Sequence, residues 1–122
     1  MSRKVLVVED EPILAMEICE ALAQRGFEVP EPVISADTVM KAFGQHRPDV
    51  VIMDINLRSY TDGVDAAKRL SLFGQVPVVF LTANQDPSVE TRARGTTNSY
   101  YLKKPYDEDR LVDLIEQILS AG

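Results

Sequence analysis

The chain has 122 residues, of which 45% are hydrophobic and 26% charged, and its formal net charge is −6. This length and balance are typical of one globular domain with a sizeable core. The negative charge argues against a nucleic-acid-binding surface, which needs a basic face, and no segment reaches the ~18 apolar residues of a membrane span.

Cysteine content and the start of the chain bear on cellular location. Cys19 is the single cysteine, so an internal disulfide is excluded and a reducing compartment is indicated. The first four residues lead directly into an apolar run, so no secretory leader is predicted. We therefore expect a cytoplasmic protein with no membrane or direct nucleic-acid partner, and one domain over residues 1–122.

Short apolar runs alternate with segments of helical period along the whole chain. The runs predict five strands: Val5–Val8, 27–34, Val50–Met53, Val78–Leu81 and Tyr100–Leu102. The helical segments begin near Pro12, Ser35, Asp62, Asp86 and Asp107. Gly26 and Gly44 are predicted to end the first two helices.

Five consecutive β-α units indicate an α/β fold, a doubly wound (βα)5 flavodoxin-like three-layer sandwich with right-handed crossovers. The second predicted strand contains Pro30 and Pro32, which lack ladder donors and place it at an edge. The apolar strands that end in Asp10 and Asp54 belong at the centre. A parallel five-stranded sheet of order 2-1-3-4-5 satisfies both conditions.

Residues that can handle a phosphoryl group follow four of the predicted strands. Glu9 and Asp10 follow the first strand and Asp54 the third, while Thr82 and Lys104 follow the fourth and fifth. In a parallel sheet these strand ends share one edge, and ligands bind there at the switch point between strands one and three. The sequence therefore predicts an active site at this edge.

The chemistry of that site follows from its residue types. Three neighbouring carboxylates require a cation between them, and hard oxygen ligands without Cys or His favour Mg²⁺ over zinc. Asp54 is the best nucleophile toward phosphorus, with Glu9 and Asp10 holding the metal. Lys104 and Thr82 would then contact the oxygens of the transferred group.

The motifs around these residues resemble the receiver domain of two-component response regulators. The resemblance covers essentially the whole chain and rests on four segments in the family's order: Val5–Glu11, Val51–Leu57, Phe80–Ala83 and Lys104-Pro105. Residues 58–61 depart from the family pattern, because they contain no proline and lengthen the loop.

The resemblance implies a role for each residue of the site. Asp54 is similar to the aspartate that accepts a phosphoryl group from a sensor histidine kinase or a histidine phosphotransfer protein. Asp10 resembles the direct metal ligand and Glu9 the ligand that acts largely through water. The backbone carbonyl of Asn56 resembles the one that completes the Mg²⁺ site.

The resemblance also implies an output mechanism. Thr82 and Lys104 match the hydroxyl and the lysine that engage the aspartyl phosphate, and Tyr101 matches the aromatic that turns inward with the threonine. Phosphorylation would alter the surface of helix four, strand five and helix five for a downstream output domain or protein, with a homodimer as a further option. Pro105 resembles a proline that often follows a cis bond.

Three other functions compete with this switch. A small phosphohydrolase would use Asp54 as nucleophile but needs a second acid where Asn56 stands, and an amide cannot transfer the proton. A flavodoxin-like cofactor binder would meet repulsion from the acidic run Glu9–Glu11. A receiver-like interaction domain that no longer takes phosphate is opposed by the intact site. We therefore expect a phosphoacceptor and not an enzyme, with only self-catalysed transfer and autodephosphorylation.

Overall fold

The computed structural model describes residues 3–35, 38–54, 76–82 and 98–121. Its elements in chain order are β1 Val5–Val8, α1 Pro12–Gln24, α2 Val39–His46, β2 Val50–Asp54, β3 Val78–Thr82, β4 Ser99–Lys103 and α3 Glu108–Ala121. The helices predicted from Asp62 and Asp86 lie outside the described residues. Within the described ranges, no helix has the length and apolar character needed to cross a membrane.

The four strands form one parallel sheet in the order β1-β2-β3-β4. These are predicted strands one, three, four and five, so this part of the predicted order is confirmed. Val8 pairs with Met53 and Asp54 with Leu81, which aligns the carboxyl ends of the strands. All residues of β1 and β2 are buried, as expected for strands covered on both faces.

Two apolar cores lie on opposite faces of this sheet, which confirms the three-layer architecture. Alternate strand residues such as Val8 and Met53 join Val39 and Phe43 of α2 in one core. The intervening strand residues pack against α1 and α3 in the other core, which includes Leu22 and Ile115. The period-2 alternation of strand side chains divides the two cores.

The segment over residues 27–34 lies beside β1, but it is not a continuous strand as predicted. Isolated parallel bridges join Lys4 to Glu28 and Val8 to Val33, with backbone hydrogen bonds of 2.8–2.9 Å at both places. Between them stand Pro30 and Pro32, which have no N–H to donate. The prolines thus reduce this edge to two separate points of pairing.

The helix ends agree with prediction in α1 and differ in α2. Gly26 has φ +91° after α1, and its N–H donates to Ala23 while that of Phe27 donates to Leu22, the Schellman arrangement. Gly44 lies inside α2 and does not end it, contrary to prediction. The left-handed residue is Arg47, at φ 48°.

Candidate metal and phosphoryl-transfer site

Three acidic side chains meet at the carboxyl edge of the sheet. Because Val8 pairs with Met53, the next residues along the two strands, Glu9 and Asp54, become neighbours. Together with Asp10 they place one carboxylate oxygen each within 4.8 Å of one another. The prediction that these strand ends converge is therefore correct for the three acids.

The site is largely closed to solvent around two of these groups. Glu9 is 1% exposed and Asp54 is 3% exposed, whereas Asp10 is only partly buried. The fully buried strands β1 and β2 fix the backbone of both residues. An ionised carboxylate in such a place needs a compensating cation or hydrogen bonds.

Lys104 supplies part of this compensation. Its Nζ lies 3.5 Å from Asp54 Oδ2 and 3.9 Å from Glu9 Oε2. Lys104 directly follows β4, so its predicted place beside the acids is borne out by the geometry. The peptide bond from Lys104 to Pro105 is cis. One ammonium group facing three carboxylates leaves an excess of negative charge.

The electrostatic cost of burying negative charge is evident at Glu9. Its Oε1 accepts a hydrogen bond of 3.2 Å from the Glu11 N–H, while its buried Oε2 has no hydrogen-bond partner among the described residues. Burial, followed by the charge of Asp54, raises the pKa of Glu9 from 4.5 to about 7. In the metal-free protein this side chain therefore binds a proton more readily than an ordinary glutamate.

The acidic cluster has the composition and spacing to hold a divalent metal ion. It offers hard carboxylate oxygens close enough to share one ion, and the buried Glu9 Oε2, which accepts no hydrogen bond from the described residues, is a ready ligand atom. Oxygen-only ligands suit magnesium or calcium better than zinc or copper. The residues present fit the predicted Mg²⁺ site.

Other predicted residues are placed only in part. Thr82 ends β3 and pairs with Lys103, but its side chain is not among those described. Asn56 and residues 58–61 lie outside the described residues. Tyr101 is half-buried against the α2-side core, with its ring centroid 6.1 Å from that of Phe80. Its role as a switch stays a prediction.

Sequence analysis overlooked Tyr106. Its hydroxyl oxygen is buried without a hydrogen-bond partner among the described residues. Burial and the nearby charge of Glu9 raise the pKa of this phenol well above its ordinary value. The available signal was its place directly after Lys104 and Pro105, where a polar-tipped aromatic enters the same strand-end region.

Comparison with known proteins identifies the family. The response regulator receiver domain matches residues 5–116. The transcriptional regulatory protein PdtaR of Mycobacterium tuberculosis is 33% identical over 118 residues, covering 97% of this chain and 57% of the relative. The phosphate regulon regulatory protein PhoB of Escherichia coli is 31% identical over 121 residues, covering 98% of this chain and 52% of PhoB.

The chain thus spans about half the length of these two curated relatives. Among solved structures, the receiver domain of NtrX from Brucella abortus superposes with a TM-score of 0.85 at 25% identity, covering 97% of this chain and 99% of that one. Sequence, fold and the acidic strand-end site agree. The chain belongs to the response regulator receiver domains, the signalling domains of two-component systems.

Proposed function

We propose that this chain is a phosphoacceptor switch in which Asp54 takes the phosphoryl group of a phosphohistidine. The donor is a sensor histidine kinase or a histidine phosphotransfer protein. One observation carries the proposal: Asp54 is buried at the end of β2, with Lys104 Nζ at 3.5 Å and two further carboxylates within 4.8 Å. A nucleophile, a cation and a metal-binding cluster thus share one place.

Glu9, Asp10 and Asp54 would hold Mg²⁺, with the backbone carbonyl of Asn56 as a further ligand. When bound, Mg²⁺ neutralises the carboxylates and orients the oxygens of the incoming phosphoryl group. Three clustered carboxylates beside a single ammonium group support this assignment, as does the buried Glu9 Oε2, which accepts no hydrogen bond from the described residues.

The transfer itself is a displacement at phosphorus. A carboxylate oxygen of Asp54 forms the new P–O bond while the P–N bond to the donor imidazole breaks, and the electron pair of that bond stays on the imidazole nitrogen. Lys104 stabilises the charge on the transferred oxygens, and the Thr82 hydroxyl donates a hydrogen bond to one of them. Water later hydrolyses the acyl phosphate and restores Asp54. The chain would thus catalyse only its own phosphorylation and dephosphorylation.

The output of the switch would run through Tyr101 and Thr82 to the surface made by the fourth predicted helix, β4 and α3. Tyr101 is half-buried, with its ring centroid 6.1 Å from that of Phe80, so it lies between the core and the surface. A downstream output domain or protein would read this surface, and a homodimer could form there. Residues 1–122 would act as a single receiver domain, and the cytoplasmic location stays a prediction.

The test is phosphorylation by a small-molecule donor. The chain is incubated with acetyl phosphate and Mg²⁺ and then analysed by intact mass. We expect one added phosphoryl group in the wild type and none in Asp54→Asn or in the presence of EDTA.

A matched control separates the site from the fold. Asp49→Asn removes an exposed carboxylate just before the amino end of the same strand and should be phosphorylated like the wild type. A folded wild-type chain that gains no phosphoryl group, or an Asp54→Asn chain that still does, would refute the assignment of Asp54.

A further inference from the structure

A cavity of about 480 Å³ lies beside the carboxyl end of β4 and the first turn of α3. The rings of Tyr101, Pro105 and Tyr106 form part of its wall. Both tyrosines are half-buried, and each packs against one of the two cores while it also lines the cavity. The volume is within the range of sites that hold a small ligand or a few side chains, and the aromatic wall suits an apolar group.

The cavity is also lined by two cations. Lys103 and Arg110 are both exposed, and neither forms an ion pair with another residue in the part of the chain that the structure describes. Asp107 lines the cavity as well, but its Oδ1 already accepts a hydrogen bond of 3.0 Å from the Asp109 N–H in the first turn of α3. In a chain of net charge −6, this cavity wall therefore carries more positive than negative charge.

The first turn of α3 separates the acidic side chains from this cavity. Glu108 and Asp109 do not line it but line a different groove, together with Glu17 and Glu20 of α1. A segment that approaches from the side of β4 thus meets aromatic rings and cations, whereas one that approaches from the side of α1 meets carboxylates. Opposite charges on two faces of one helix start select for the charge of a partner.

We propose that this cavity binds an acidic segment of the downstream output domain or protein. An apolar side chain of that segment would pack against the tyrosine rings, and a carboxylate would pair with Arg110 or Lys103. Tyrosine and arginine are the residue types that most often dominate binding energy at protein interfaces. The inference rests on the proposed function and gives its output surface a partner of defined chemistry.

The position of Tyr101 connects this cavity to the proposed switch. Its ring lines the cavity and lies with its centroid 6.1 Å from that of Phe80 in the core. A movement of this ring toward the core would change the shape of the cavity. Phosphorylation of Asp54 would then change the affinity for the acidic segment, because a segment that fits one shape better favours that state.

The test uses the full chain, labelled with ¹⁵N, and three pools of blocked seven-residue peptides. All pools share the central residues Phe, Leu and Ile, flanked by Asp and Glu in the first pool, by Lys and Arg in the second, and by Ser and Asn in the third. Each pool is titrated with and without acetyl phosphate and Mg²⁺. We expect the acidic pool to shift the amides of residues 101–103 and 107–110 and to bind at least about fivefold more tightly than the neutral pool.

Substitutions at Arg110 test the charge directly. Arg110→Gln should weaken binding of the acidic pool by about fivefold, and Arg110→Glu should reverse the preference toward the basic pool. Lys41→Gln is the matched control, because it neutralises an exposed lysine of α2 that does not line this cavity, and it should leave the affinity unchanged. The amide spectrum of each variant reports whether its fold is intact.

The alternative occupants give different results. Equal binding of all three pools, shifts confined to other residues, or no shift by the acidic pool in either state would overturn the inference. Acetate that shifted the same amides with the same affinity would assign the cavity to a small anion, and a dimer dissociated only by Arg110→Glu would assign it to a second copy; both would also overturn it. If the acidic pool bound a chain that acetyl phosphate failed to phosphorylate, the docking surface would stand and the proposed switch alone would fail.

Discussion

Replacing Glu9 with glutamine is expected to stabilise the metal-free protein, and the gain should grow as the pH rises. The wild-type carboxyl is buried beside Asp54, and its pKa is raised from 4.5 to about 7. The folded state therefore prefers the protonated form of Glu9. Glutamine resembles that neutral form at every pH and can still accept the hydrogen bond from the Glu11 N–H.

The direction in which the free energy of unfolding changes with pH follows from proton linkage. Below pH 4.5 both folded and unfolded chains hold the proton, and Glu9 carries no penalty. Between 4.5 and about 7 the folded state holds more protons than the unfolded state, so stability falls as the pH rises. At about 1.36 kcal/mol for each pKa unit, the full loss above pH 7 is about 3 kcal/mol.

The assay is urea unfolding in EDTA at about pH 5 and about pH 8, for wild type and Glu9→Gln. We expect the free-energy difference between the two chains to grow by about 2–3 kcal/mol over this range. Glu31→Gln, which neutralises an exposed glutamate of the edge segment, should show no such growth.

At the higher pH, adding Mg²⁺ should reverse the stability advantage of Glu9→Gln over the wild type. A ligand that binds only the folded chain stabilises it by about 2.7 kcal/mol at one hundred times its dissociation constant, and the wild type should gain more than Glu9→Gln. Equal differences between the two chains at both pH values would refute the electrostatic account of Glu9.

Three further substitutions test other parts of the structure. Lys104→Ala removes the ammonium group that faces the acids, so phosphorylation by acetyl phosphate should slow by about tenfold or more in an intact-mass time course, while the neighbouring Lys103→Ala should have little effect. Ile115→Ala empties a fully buried site in α3 and should cost about 2–5 kcal/mol in urea unfolding. Gly26→Ala forces a side chain onto a residue at φ +91° and should cost about 1–2 kcal/mol, whereas Gly44→Ala, inside α2 with open space around it, should stabilise by about 0.5–1 kcal/mol.

Each of these expectations can fail clearly. Equal phosphorylation rates for Lys104→Ala and Lys103→Ala would remove Lys104 from the reaction. A loss below about 1 kcal/mol for Ile115→Ala would mean that the core relaxes around the missing atoms. If Gly26→Ala and Gly44→Ala changed the unfolding free energy in the same direction, backbone conformation would not be the controlling factor at these positions.

The acidic cluster could be predicted because a parallel sheet converts sequence position into spatial position. Glu9 and Asp54 stand far apart in the chain, yet each follows an apolar run, and such runs become central strands. Pairing of those strands brings the two residues together. The two cores could be predicted in the same way, because alternate residues of each strand face opposite helical layers.

Other features depend on tertiary contacts that a local pattern does not contain. Gly44 indicated a helix end, but in the structure it is an exposed residue inside α2. A glycine at such a position destabilises a helix only slightly, so α2 continues to His46. Pro30 and Pro32 predicted an edge position for residues 27–34, but they did not predict that this segment would pair with β1 only through two isolated bridges. The hydroxyl of Tyr106 is buried by packing between distant elements, and its place directly after Pro105 does not by itself predict this burial.

The interrupted edge segment has a consequence for self-association. A long sheet edge with regular N–H and C=O groups invites another chain to pair with it, which can lead to aggregation. Here β1 is shielded by a segment that itself lacks donors at Pro30 and Pro32. This side of the sheet therefore offers an incoming strand no continuous ladder. The same prolines that weaken the fold locally would protect the chain at the concentrations found in cells.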